Sequence, residues 1–239
     1  TLGESDGYLY EYRWAFGWSF EYLGSDPANY SPVPFAPQNH ERDPDPSPLE
    51  VRARAVNRTP DPSFENEVSR YLDLKKFITY AAIENFLAEQ DGLLGDFGFN
   101  NFYFYRFQNS ALSQFIPWDK SNSFYSLNWP VFRNIDAFVL SKRAFAVPDL
   151  RKVYVDTLTR CAELAGDAGG WLEREVTGEY QQVLEAALQD NFKQCYVPGT
   201  ATLGNCTNGQ FENEVRLLAA FARQRAADVR GQLAAGRVE

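Results

Sequence analysis

The chain has 239 residues, 44% of them hydrophobic and 15% aromatic, with a formal net charge of −9. That length suits one large domain or two small ones, and the apolar content supports a real core and excludes a disordered chain. The acidic balance argues against a nucleic-acid binder, whose affinity rests on clustered Lys and Arg, and no apolar run approaches the roughly 20 residues of a membrane helix.

No methionine occurs, and no charged-then-apolar leader precedes Thr1, so the expectation is a chain that begins inside a longer protein. The opening stretch DGYLYEYRWAFGWSFEYLG alternates aromatic and polar residues around Gly7 and Gly17, which predicts one or two strands or extended pieces at the edge of something larger. From Pro27 to Pro62 prolines recur every few residues, which argues for a long surface connection without continuous secondary structure. Inside it, Ser47-Pro48 reads as a cap followed by Pro at the first helical position. His40, the only histidine, lies among polar loop residues and is expected to be exposed. With one histidine and scattered cysteines, no His-dependent triad and no zinc cluster can be built.

Ser63 begins a second short helix, and Asp73 caps a third, LKKFITYAAIENFLAEQ. The apolar residues of that third helix spread over more than one stripe, which predicts burial on most sides, with Lys75, Lys76, Glu84 and Glu89 marking what stays exposed. Beyond Phe124 the pattern is helical to the end, in four segments broken at Pro148, Gly166 and the stretch CYVPGTATLGNC. Cys195 and Cys206 bracket that last stretch and are expected to pair, whereas Cys161 sits in a helical pattern and is expected to be buried. Asn57-Arg58-Thr59 and Asn205-Cys206-Thr207 match the glycosylation triplet, which carries meaning only in the right host. Arg216, Arg223, Arg225 and Arg230 lie among acids at helical spacing and read as a solvated helix face.

Between the third helix and Phe124 stand an acidic loop, an Asn pair, two aromatic strands and an aspartate: DGLLGDFGFNNFYFYRFQNSALSQFIPWDKSNSF. Strands paired in a hairpin put the start of the first and the end of the second at one mouth. Asn101 and Asp119 are therefore expected to be neighbours, with Asp91 or Asp96 entering from the loop. Converging oxygen ligands suit a Mg²⁺ ion carrying a phosphate. Phosphoryl transfer needs a carboxylate to orient the attacking hydroxyl, and an Asn and an Asp to hold metal ions on the nucleotide phosphates. In protein kinases these stand in the order Asp, Asn, hairpin, Asp after a buried helix, and this chain has that order. Turn formation and capping explain the same residues on spacing alone. The hairpin aromatics, Phe102, Tyr103, Phe104, Tyr105, Phe107 and Phe115, read as core packing rather than a base-stacking platform, and Trp118 as a packing anchor for Asp119.

The sequence Asp91-Gly92, the run NNFYFYR and the motif FIPWDKSNSF together resemble the CotH family of spore-coat and secreted kinase-like proteins. DGYLYEY, YLDLKKFITYAAIENFL, VLSKRAFAVPDLRKVYVDTL and FENEVRLLAAFARQR resemble further family segments, so the likeness covers nearly the whole chain. It implies an α+β, mostly helical fold: a protein-kinase-like C-lobe whose small β-hairpin carries the metal site. Residues 1–26 would be a remnant of N-lobe and hinge strands, 27–62 a Pro-rich connection, and 63–239 the helical lobe with its hairpin at 101–118. It also implies Mg²⁺ or Mn²⁺ and ATP as cofactors, a protein substrate, and a secreted or cell-envelope location. Asp91 matches the catalytic-base aspartate, with Asp96 as the alternative because it stands five residues before Asn101, the spacing of protein kinases. Asn101 and Asp119 match the metal-binding pair. Two departures stand out. Ser121 occupies the place of a frequent second aspartate, and the N-lobe lysine and glutamate of the family have no counterpart, so this stretch alone is expected to transfer no phosphate. The other expectation is a pseudokinase, or a coat or cell-envelope binding and assembly protein, without catalysis.

Overall fold

The computed structural model describes residues 3–4, 6–13, 18–196 and 203–236. The fold is α+β, with helices making up about half of it, and the described residues fall into two compact units. One comprises the chain up to Tyr125 together with Trp129–Leu158. The other comprises Ser126–Asn128 and Thr159–Ala235.

The first unit is built on a four-stranded antiparallel sheet. Its strands are β1 (Tyr8–Tyr12), β2 (Phe35–Pro37), β3 (Phe102–Arg106) and β4 (Ser113–Pro117), in the order β2-β1-β3-β4. The opening stretch thus supplies an interior strand rather than an edge, because the prolines upstream of α1 admit a three-residue strand after all. Phe35 and Ala36 are buried in it. Pro37 closes it on the outer edge, where a missing N–H costs no ladder bond. Trp14–Gly17, part of the expected second extended piece, lie outside the described residues.

Period-two alternation explains the core. Tyr10 faces Phe104 and Phe104 faces Phe115 across the ladder, and Tyr12 faces Phe35. These side chains share one face of the sheet. Trp18, Phe20, Phe77 and Phe99 join them, with ring centroids 5.0 Å apart for both Phe99–Phe102 and Phe102–Phe115. At its far end the same face turns polar. The Arg106 guanidinium lies 3.8 Å over the Tyr8 ring, and buried Arg52 donates to Ser113 Oγ at 2.6 Å and to the Pro48 carbonyl at 2.6 Å.

Helices close over this sheet. α1 spans Ser47–Arg58 with Pro46 at its cap, so Ser47 is the first helical residue rather than the capping one. α2 spans Phe64–Val68, and α3 spans Leu74–Leu87 with the Asp73 side chain accepting from the Lys76 N–H at 3.0 Å. α4 (Val139–Ala146) is tied to α1 by Arg143, which donates to the carbonyls of Val56 and Thr59 and lies over the Phe64 ring. None of the described helices is long and apolar enough to cross a membrane.

α5 (Pro148–Ala165) carries the chain into the second unit, which holds α6 (Trp171–Gln189), the two-stranded hairpin β5 (Gln194–Tyr196) and β6 (Leu203–Asn205), and α7 (Asn208–Ala235). The C-terminal arginines do not all face solvent. Arg225 is fully buried, donating to the Leu127 carbonyl at 2.8 Å and to Asp228 at 2.7 Å, because an arginine with its donors satisfied can be enclosed. Cys161 is only half-buried, and burial pushes its thiol up to about 11. Cys195 and Cys206 form a disulfide with 5.6 Å between α-carbons, next to the paired strands; residues 197–202 of the loop it closes lie outside the described residues. Crosslinking so short a loop contributes about 3 kcal/mol. The Cys195→Ser/Cys206→Ser variant is expected to lose about that much, read as a lower urea midpoint for α6 and α7 while the aromatic near-ultraviolet signal of the first unit is kept.

Candidate functional site

The β3–β4 ladder fixes one end of the site. Phe102 pairs with Pro117, so Asn101 and Trp118 flank the same mouth, where the Trp118 N–H donates to the Asn101 carbonyl at 3.3 Å. Asp119 follows directly. Asn101 and Asp119 both have left-handed backbones, at φ 54° and 41°. Asn and Asp tolerate that region better than other non-glycine residues.

Loop 89–100 reaches this mouth from below. The Asn101 Nδ2 donates to the Asp91 carbonyl at 2.8 Å, and the Asn100 Nδ2 donates to Asp91 Oδ1 at 2.8 Å. Asp91 and Asn101 are thus in direct contact. Asp96 is engaged elsewhere: Arg133 holds its carboxylate at 2.8 Å. Asp119 is exposed, and among the described residues no hydrogen bond or ion pair occupies its carboxylate.

Beneath these residues lies Glu84, which had been expected to be exposed. Both Glu84 and Glu89 are buried. Each has its oxygens divided between partners. Glu84 Oε1 takes the Lys120 ammonium at 2.5 Å and Oε2 takes the Leu93 N–H at 2.6 Å. Glu89 Oε1 takes the Asp91 N–H at 3.0 Å, and Oε2 takes the Ser123 hydroxyl at 2.6 Å. Burial pushes the Glu84 carboxyl above the usual carboxylate range, against the opposing pull of Lys120. Lys120 makes a second bond, to the Asn101 carbonyl at 3.0 Å, and that carbonyl also accepts from the Tyr80 hydroxyl at 3.3 Å. Burial and the neighbouring Glu84 push the Tyr80 phenol upward as well.

Gly92 is required here by close approach. A β-carbon on it would stand 2.5 Å from Glu84 Oε2.

Trp118 is half exposed, its ring edge-on to Tyr103 at 4.9 Å, so it is a surface residue of the mouth rather than a buried anchor. The reason is positional, since it stands one residue past the end of β4 and leaves the alternation that buries Phe115. His40 is exposed and stacks on Tyr8 at 4.3 Å.

Among the described residues, no three His, Cys, Asp or Glu side chains gather as a metal cage. The oxygen donors at the mouth are the Asp119 carboxylate and Asn101 Oδ1, the latter left as an acceptor once Nδ2 is bonded to Asp91. Mg²⁺ is commonly held by one or two protein oxygens, with water and substrate phosphates completing its octahedron, so this donor set fits that ion shared with a phosphate.

The family model described as CotH kinase protein matches residues 1–229. The chain belongs to the CotH family. No curated protein matches it. Membership in the CotH family covers every element of the first unit and nearly all of the second.

Sequence reasoning missed Glu84, although a signal was present. Phe77, Ala81 and Glu84 recur at spacings of four and three, which lays them along one helix face. All three are buried. The pair makes an asymmetric prediction. Lys120→Met leaves a buried carboxylate uncompensated and is expected to cost about 3 kcal/mol at neutral pH. Because the folded-state pKa of Glu84 is raised, the folded form binds its proton more readily than the unfolded form. The cost should therefore shrink as pH falls and Glu84 protonates. Glu84→Gln/Lys120→Met should show neither the loss nor that pH dependence in chemical denaturation.

Proposed function

We propose that this chain carries the phosphoryl-transfer centre of a CotH-family atypical protein kinase with a kinase-like helical lobe, moving the γ-phosphoryl of Mg²⁺-ATP to a hydroxyl on a protein. One observation carries the reading: the hairpin end brings Asn101 and Asp119 together, with the Asn101 amide bonded to the Asp91 carbonyl. Bound Mg²⁺, or Mn²⁺, would neutralise charge on the phosphate oxygens.

In the proposed step the bond from the γ-phosphorus to its bridging oxygen breaks, and a bond to the acceptor oxygen forms. Asp91 orients the acceptor hydroxyl and takes its proton. Asn101 Oδ1 and the Asp119 carboxylate would hold the metal. Asp91 is favoured over Asp96 because Arg133 already neutralises Asp96. The acidic balance of the chain fits a protein acceptor and a nucleotide rather than a nucleic acid. The Cys195–Cys206 disulfide supports a secreted or cell-envelope setting, since such bonds persist where the surroundings are oxidising.

A second reading has its own observation. Ser121 stands where the family often has an acid, and among the described residues no group of three acids forms. Such a site would suit a pseudokinase, or a coat or envelope binding and assembly protein that keeps the fold without catalysis. Two measurements on the full-length protein separate the readings. Radiolabelled γ-phosphate transfer is expected to fall by about 100-fold or more in Asp119→Ala relative to the parent; equal incorporation sinks the kinase reading. A parent with no Mg²⁺-dependent thermal shift in ATP favours the binding protein.

A further inference from the structure

We infer that Glu84 and Lys120 are a positioning pair for the phosphoryl-transfer centre, an inference that rests on the functional reading above. Neither residue has been given a chemical role, yet between them they touch every segment that carries one. Glu84 Oε2 holds the Leu93 N–H, two residues from Asp91. Glu84 Oε1 holds Lys120, the residue after Asp119. Lys120 then reaches the carbonyl of Asn101. One charge pair, its carboxylate buried and its ammonium partly exposed, is thus bonded to the base loop, the start of the hairpin and the end of the hairpin at once.

The chemistry points away from a role in stability. A buried ion pair loses the solvation of both partners, and replacing it by apolar residues of similar volume is often neutral or stabilising. What such a pair supplies is geometry, since a desolvated carboxylate accepts only donors placed correctly around it. The surroundings fit that use. Gly92 leaves no gap between loop and carboxylate. The Tyr80 hydroxyl shares the same Asn101 carbonyl, and Lys120 Nζ lies 5.4 Å over the Tyr80 ring. Buried Arg52 differs in this respect, because it bonds the carbonyls of Pro48 and Ala111 and the Ser113 hydroxyl and none of the candidate residues.

The test uses the full-length protein as parent, Lys120→Arg, and the double variant Glu84→Gln/Lys120→Met, which removes the charge pair without stranding either partner. Phosphate transfer from ATP to casein and to the protein itself is measured beside Mn²⁺ binding by titration and the melting temperature. The double variant is expected to melt near the parent while kcat falls about 100-fold, as for a misplaced catalytic constellation. KM for Mg²⁺-ATP should rise by no more than about 10-fold, so that the larger loss falls on kcat, which separates transition-state positioning from lost ground-state binding. Lys120→Arg should recover most of the rate. A folded double variant with parental kcat overturns the inference and leaves the functional reading standing. A parent that binds Mn²⁺ without transferring phosphate is judged on Mn²⁺ affinity, expected to weaken about 10-fold in the double variant, as for lost outer-shell support; equal affinity overturns the inference. A parent that does neither removes the functional reading and this inference with it.

Discussion

A carboxylate closed off from water at the end of α3 constrains everything built around it. Glu84 is 3% exposed, and an ionised group in that position must find donors or give up its charge. It finds them on two different loops, at Leu93 and Lys120. The need therefore acts as a structural instruction: the loop after α3 must fold back far enough to present an N–H, and the residue after Asp119 must be a cation long enough to reach inward. Gly92 follows from the same requirement, since any side chain there would occupy the space of the carboxylate.

That instruction would mean little on a soft scaffold. The hairpin above Glu84 is held by interlocked rings, and interiors packed in this way do not deform continuously. On the other side, buried Asn85 accepts from Trp129 Nε1 at 3.0 Å and donates to the Tyr154 hydroxyl at 2.8 Å. Tyr154 in turn donates to the Val131 carbonyl at 2.6 Å. This fixes the segment from which Arg133 reaches Asp96. Adjacent residues of α3 therefore organise two different neighbours, Glu84 the site loops and Asn85 the segment beyond them.

Much of this was legible in the sequence because it followed from period and chemistry. The alternation in NFYFYR and SQFIP marks the hairpin, Asp73 marks a cap, and two cysteines around a turn-rich stretch mark a disulfide. Four of the exceptions share one cause, which is that residue type was allowed to stand for environment. Glu84, Glu89 and Arg225 were read as solvent-facing because they are charged, and Trp118 as a packing anchor because it is aromatic. Position decided each of them instead. Glu84 falls on the face of Phe77 and Ala81, and Trp118 falls beyond the last paired residue of β4. The interior place of β1 was hidden for another reason, since it depends on β2, whose three residues lie among prolines where local pattern carries almost no strand signal.

The contrast between Glu84 and Asp119 bears on how the proposed centre would work. Two acids lie within the same small region, one buried and bonded on both oxygens, the other exposed and without a partner among the described residues. With Asp91 also at the mouth, a site that kept both free would set three carboxylates against the two positive charges of one metal ion, and would repel the nucleotide phosphates. Pairing Glu84 with Lys120 removes that repulsion, and Ser121 removes another potential carboxylate. With so few protein oxygens left, a Mg²⁺ ion has most of its octahedron to fill from water and phosphate. On the proposed reading the metal therefore binds well only together with the nucleotide, and the protein contributes alignment more than affinity.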